Sequence, residues 1–291
     1  MNSKRNSFII KSLLGLILVV FFINIYFTSQ LFFNKSKYKT LESNIESIQT
    51  EKTKLLSENE KLKNEISQNE AKINEVIKTS KRAYLTFDDG PSNHTLKILD
   101  ILDKYNIKAT FFVNKKDNMD KIYKEISDRG HVIANHTATH NYKKIYKNQD
   151  NFIADVKALD DFIENITGKK PSKVLRFPGG SNNLVNKSYN NNANFMPDLA
   201  QKMTDLGYTF FDWNIDSTDA AAFRQKKDII VKSILNNTPS VNTANILMHD
   251  LDPKDTTVNA LPEIIEGLKS QGFIFDSLSH DSVKIQFTKV N

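Results

Sequence analysis

Residues 82 to 291 predict an α/β fold on a mostly parallel sheet or barrel, and two patterns in the sequence carry that prediction. Strand-like runs alternate with amphipathic helical runs to give seven βα units, and no linker composition interrupts them. Side chains able to bind a metal or move a proton collect just after those runs, where a parallel barrel presents its loops. A third feature, an unbroken apolar stretch near the N-terminus, predicts a transmembrane helix ahead of this fold.

Length and composition set the bounds. The chain has 291 residues, long enough for one large or two medium domains, and its 39% hydrophobic content supports a substantial core. Its net charge of +6 is local: Lys4, Arg5, Lys11, Lys35, Lys37 and Lys39 have no acid among residues 1–40, so the rest sums to zero. No basic patch calls for nucleic acid as a partner. The absence of cysteine excludes disulfides, thiolate catalysis and Cys-ligated zinc, so any metal must use His, Asp or Glu.

Leu13 to Phe33 is apolar apart from Asn24, Thr28, Ser29 and Gln30. As a helix it would be about 31 Å long, the hydrocarbon thickness of a bilayer. A cleaved signal peptide is the competing reading, since Leu13 to Ile23 has h-region length behind Lys4-Arg5. No small-x-small site follows, so residues 1–34 are read as an uncleaved membrane anchor. Three basic residues on either side of the span leave its orientation undecided by charge.

From Lys35 to Arg82 there is no Gly or Pro, and Ile and Leu recur among Glu, Lys, Asn and Ser, which predicts one long helix. With Leu41, Ile48, Leu55, Leu62, Asn69 and Val76 at d, the a positions are Ile45, Lys52, Asn59, Ile66, Ile73 and Ser80. Polar Lys52 and Asn59 weaken such a seam while favouring two strands in register, so residues 41–80 are expected to form either a parallel homodimer or a solvated spacer. The stalk, residues 35–81, would be about 60 Å long in either case. Sedimentation of the full chain in detergent distinguishes the two, a monomer at every concentration ruling out the dimer.

Expected strands in the third segment are Ala83 to Phe87, Ala109 to Val113, His131 to Ala134, Val174 to Phe177, Tyr208 to Trp213, Asn245 to Met248 and Phe273 to Phe275. Helices are expected near Thr95, Asp120, Asn151, Pro197, Lys227 and Thr257, with a polar loop over Ser181 to Asn194. In AYLTFDDG, Ala83 to Gly90, a buried strand ends in Asp88 and Asp89. Neighbours on extended backbone point opposite ways, so the two share a site only if the strand breaks, and Gly90-Pro91 is the expected break. A helix cap before Thr95 is the structural alternative.

His136 and His140 stand at i, i+4, a spacing that places both imidazoles on one face of a helical turn. With Asp89 they make three protein ligands and an open position, the pattern of a catalytic zinc centre, and the same set suits other divalent transition metals. His94, His131 and His280 lack such company and are expected at the surface or in structural roles.

These segments together resemble the polysaccharide deacetylase family, carbohydrate esterase family 4. Thr86 to Gly90 (TFDDG), His136 to His140 (HTATH), Arg176 to Gly180 (RFPGG), Asp216 to Asp219 (DSTD) and Leu247 to Asp250 (LMHD) match its five motifs in order, over roughly residues 82 to 280. The resemblance implies a distorted (β/α) barrel and a hydrolase that removes the acetyl group from an amino sugar, with N-acetylglucosamine of peptidoglycan the expected substrate. It implies Asp88 as base, Asp89, His136 and His140 as ligands of a divalent metal, zinc first, and His249 as acid. Arg176 would orient Asp88, Asp219 would set the state of His249, and Leu247 would line the acetyl pocket. The N–H of Gly179 could help hold the oxyanion, glycine permitting close approach. An ordinary ion pair is the alternative for Arg176 and Asp219, as core packing is for Leu247.

The resemblance also places residues 82–291, the catalytic domain, outside the cell on a single-pass anchor, facing cell-wall polysaccharide. One position departs from the pattern: the family often has tryptophan after the second aspartate of the fourth motif, and here Ala220 stands there. Trp213, Phe211 or Phe223 could supply a replacement wall for the groove. A catalytically silent, glycan-binding envelope protein organised by its coiled coil is the alternative function.

Overall fold

The computed structural model describes residues 2–290. They form two compact units, divided after Lys78. The first is a single helix, α1 (Asn2–Thr79). Its apolar N-terminal part is long and hydrophobic enough to cross a membrane. Farther along it, Ile45, Ile48, Leu55, Leu62, Ile66 and Ile73 are all exposed.

The second unit is an α/β domain with strands β1 (Lys81–Gly90), β2 (Thr110–Val113), β3 (Val132–Asn135), β4 (Val174–Leu175), β5 (Thr209–Phe210), β6 (Ile215–Asp216), β7 (Thr243–His249) and β8 (Phe273–Asp276). Between them run α2 (Thr95–Lys104), α3 (Asp120–Asp128), α4 (Tyr142–Ile145), α5 (Gln149–Thr167), α6 (Phe195–Asp205), α7 (Lys227–Asn237) and α8 (Asp255–Ser270). The strands are parallel throughout, in the order β5-β4-β3-β2-β1-β7-β6. β1 pairs with β7 along one edge, while β8 takes Lys81 to Tyr84 and β2 takes Thr86 to Gly90. The expected distorted barrel is therefore present as a curled sheet whose ends, β5 and β6, share no ladder among the described residues.

Two local expectations are corrected. The helix expected to reach Arg82 ends at Thr79, because Lys81 and Arg82 join the β1 ladder and Arg82 meets Asp276 at 2.7 Å. The strand expected over Tyr208 to Trp213 is confined to Thr209–Phe210, since the Asp212 N–H turns away to Ile285 O at 2.8 Å. β6 and α4 were not anticipated; with two and four residues they carry too little periodicity to announce themselves.

The two faces of the sheet separate core from chemistry. Ala83, Leu85 and Phe87 of β1 point outward onto helices, joining Ile98, Leu99 and Leu102 of α2 and Leu261, Ile264 and Leu268 of α8 in the main core. The helical residues recur at three- and four-residue intervals, so each helix buries one stripe. Each fully buried Leu or Phe contributes about 1.5–3 kcal/mol relative to exposure. The alternate residues Tyr84, Phe112, Ala134 and Val174 form a small cluster on the concave side. The same two-residue alternation puts Asp88, still within β1, and His136 and Arg176, just past β3 and β4, on that concave side as well. His131 is structural, as expected: it is buried, accepts the Ala109 N–H on Nδ1 at 3.1 Å, and burial pushes its pKa down to about 4, so it is neutral.

Candidate active site

Asp88 and Asp89 share the site because the strand breaks one residue earlier than expected. Asp89 itself adopts φ +69, and the β1–β2 register slips between Asp88 and Gly90. A bulge of this kind re-aims a side chain that regular pleating would send to the other face. Gly90 is required for a different reason: a Cβ there would lie 2.6 Å from Asp250 Oδ2. Asp250 is buried, and its carboxylate accepts hydrogen bonds from Ser92 and Thr95.

His136 and His140 do converge, but not on a helical turn. Residues 136–140 form a loop in which Thr137 and His140 have positive φ, 65° and 48°. Side chains replace the missing helical hydrogen bonds. Asn114 donates to the carbonyls of His136 and Thr137, the Thr137 N–H bonds Asn135 Oδ1, and the Asp155 carboxylate accepts from the N–H and hydroxyl of Thr139. Asp155, also bound by Lys144 at 2.7 Å, is a positioning residue that sequence reasoning missed. Its signal was a charge on the buried stripe of α5, between Phe152 and Val156.

Ligand atoms of Asp89, His136 and His140 all lie within 4.8 Å of one another. Asp89 Oδ1 is 3.6 Å from His136 Nε2 and 3.4 Å from His140 Nε2, yet it is buried with no hydrogen-bond partner. An uncompensated buried carboxylate oxygen is costly, and a cation between it and the two imidazoles would satisfy it. His136 suits that role: burial pushes its pKa down and keeps it neutral, and Nδ1 faces Arg176 O at 2.8 Å, leaving Nε2 toward Asp89. The residues present thus fit a divalent ion.

Arg176 is fully buried, and all five of its N–H donors are used. Nη1 reaches Asp88 Oδ1 at 2.7 Å and Thr86 Oγ1 at 2.8 Å; Nε goes to Phe211 O; Nη2 goes to Asp212 O and Asn245 Oδ1. Arg176 therefore holds Asp88 by a single bond, because its other donors go to Thr86, Phe211, Asp212 and Asn245. The other oxygen, Oδ2, faces His136 Nε2 at 3.7 Å.

Across the site, His249 Nδ1 meets Asp219 Oδ1 at 2.7 Å, and the His249 N–H and Thr257 hydroxyl bond Asp219 Oδ2. Burial works to lower the His249 pKa, but the hydrogen bond and charge of Asp219 outweigh it and push it up to about 9. Burial likewise works to raise Asp219, and the same bonds reverse it to a net lowering. Lys254, itself buried, grips the carbonyls of Asp219 and Ala222. Asp216 is exposed, and its carboxylate accepts the Thr218 N–H.

Leu247 lies two residues before His249 and is 6% exposed. Gly179, exposed with φ +78, has an N–H without a partner among the described residues. Of the aromatic residues considered as a groove wall, Phe211 is fully buried, Trp213 packs edge-on against Phe287 at 5.1 Å, and Phe223 is 77% exposed.

Comparison with known proteins agrees with this geometry. A family model described as polysaccharide deacetylase matches residues 75–210. The chain is 35% identical over 212 residues to a peptidoglycan-N-acetylglucosamine deacetylase of Bacillus cereus, covering 70% of this chain and 72% of that protein. It is 30% identical over 203 residues to a peptidoglycan-N-acetylmuramic acid deacetylase of Bacillus subtilis, covering 68% and 70%. Among solved structures, the catalytic domain of a peptidoglycan N-acetylglucosamine deacetylase from Eubacterium rectale superposes with a TM-score of 0.68 at 36% identity, covering 73% of this chain and 94% of that one. Motifs, curled parallel sheet and relatives agree, and the chain belongs to the polysaccharide deacetylase family.

Proposed function

We propose that this chain is a metal-dependent hydrolase that removes acetyl groups from N-acetylglucosamine of peptidoglycan, working from a membrane anchor formed by the N-terminal part of α1. The observation that carries the reading is the orphaned Asp89 Oδ1 facing two imidazoles, with the Asp88 carboxylate beside them and held off by Arg176. The similarity to a peptidoglycan-N-acetylglucosamine deacetylase supports the choice of sugar.

Asp89, His136 and His140 would hold the cation, zinc first, which when bound supplies Lewis acidity to the amide carbonyl and to the attacking water. Asp88, tied to Arg176 through one oxygen, keeps the other free to take the proton of that water. The Gly179 N–H would donate to the developing oxyanion, and Leu247 would line the acetyl methyl. His249, held protonated by Asp219, gives its proton to the departing amine.

Purified full-length chain is expected to bind about one divalent ion per molecule, to release acetate from peptidoglycan, and to lose that activity on chelation. His140→Ala is expected to lower ion affinity by at least tenfold and turnover with it, since three ligands become two. Elemental analysis and an acetate assay check both. Acetate release that survives exhaustive chelation would reject the metal mechanism, and glycan binding without acetate release would make the chain a silent glycan-binding protein.

A further inference from the structure

Tyr142 lies outside the five motifs, two residues beyond His140, and its side chain is the aromatic group packed directly on that imidazole. The rings meet edge-on at 5.1 Å, and Tyr142 also stacks on Tyr146 at 5.9 Å, so the phenol ring packs against both a metal-site histidine and the core. The hydroxyl of Tyr146 is satisfied by Pro178 O at 2.7 Å and Asn183. That of Tyr142 has no hydrogen-bond partner among the described residues. It lies 3.4 Å from the point a Cβ on Gly179 would occupy, so it takes space that a side chain at 179 would fill.

Two donors from different segments, the Tyr142 O–H at the start of α4 and the Gly179 N–H, thus stand unpartnered near one another at the rim of the Asp89, His136 and His140 group. A phenol hydroxyl can donate a hydrogen bond. Resting on the deacetylase reading, we infer that Tyr142 is a substrate-binding residue that donates a hydrogen bond to an oxygen of the sugar bearing the acetyl group. It would thereby orient the amide toward Asp88 and the Gly179 N–H. The sugar recognised would be one presenting an oxygen next to its acetamido group, as amino-sugar units do.

Tyr142→Phe in the full-length chain removes the hydroxyl and keeps both ring contacts. It is expected to retain bound divalent ion and melting temperature while kcat/KM for acetate release from peptidoglycan falls roughly three- to tenfold, the worth of one neutral hydrogen bond. An unchanged kcat/KM overturns the assignment, and so does a fall that tracks loss of the ion, which would mean that the hydroxyl serves only to hold His140. Wild-type chain that releases no acetate would instead reject the deacetylase reading itself.

Discussion

Asp88→Asn is expected to bind its divalent ion as wild type does and to release acetate about a thousandfold more slowly, within the range found when a general base is removed. Asparagine keeps the shape of the side chain and an oxygen that can still accept from Arg176 Nη1, so the buried guanidinium loses no partner. What disappears is the carboxylate oxygen that faces His136 Nε2 at 3.7 Å, the atom placed to accept a proton. The orphaned ligand atom belongs to the neighbouring Asp89 and is unaffected. Ion content from elemental analysis beside initial rates of acetate release is the measurement. A variant within tenfold of wild type would remove Asp88 from the mechanism, and one that loses its ion would make Asp88 a ligand.

The second large effect is expected in pH dependence. In the proposed mechanism His249 must be protonated to act on the leaving amine, and its pKa of about 9 keeps it so through the neutral range; wild-type kcat should fall only as pH rises past about 9. Asp219→Asn removes the charge that holds the imidazolium. Burial, which favours the neutral ring, is then less opposed, and the alkaline limb should move toward or below 6.5, the ordinary histidine value, with activity near pH 8 falling about ten- to hundredfold. An alkaline limb unmoved in the variant would mean that another group sets it.

Stability follows the same pair. The His249 pKa is raised on folding, so its contribution is complete below pH 6.5 and is lost as pH climbs through about 9. The Asp219 pKa is lowered, so its contribution is present above 3.8 and is lost as pH falls through its folded value. The wild-type melting temperature should therefore decline between pH 6.5 and 9. Asp219→Asn should flatten that decline.

Much of this molecule is written in local pattern. The α/β class follows from period-two runs alternating with period-three-and-four stripes, because each element must bury one face before it meets its neighbours. Asp89, His136, His140, Arg176, Asp219 and His249 could be singled out as candidates for a related reason: polar side chains at the ends of apolar runs have few structural uses. The long N-terminal helix was legible from composition, since nothing between Lys35 and Thr79 disfavours it.

What the sequence could not convey is how the side chains are aimed, which depends on contacts between residues far apart in the chain. The i, i+4 histidines implied a helical turn, but hydrogen bonds from Asn114, Asn135 and Asp155 hold an irregular loop that brings both rings to Asp89. The break separating the two aspartates falls at Asp89 because β1 slips against β2 there. Arg176 grips Asp88 once because four other donors are drawn to Thr86, Phe211, Asp212 and Asn245. Periodicity decides which face of its own element a residue occupies; only the assembled sheet decides which buried groups satisfy one another, and so which oxygen and which hydroxyl are left without a partner among the described residues.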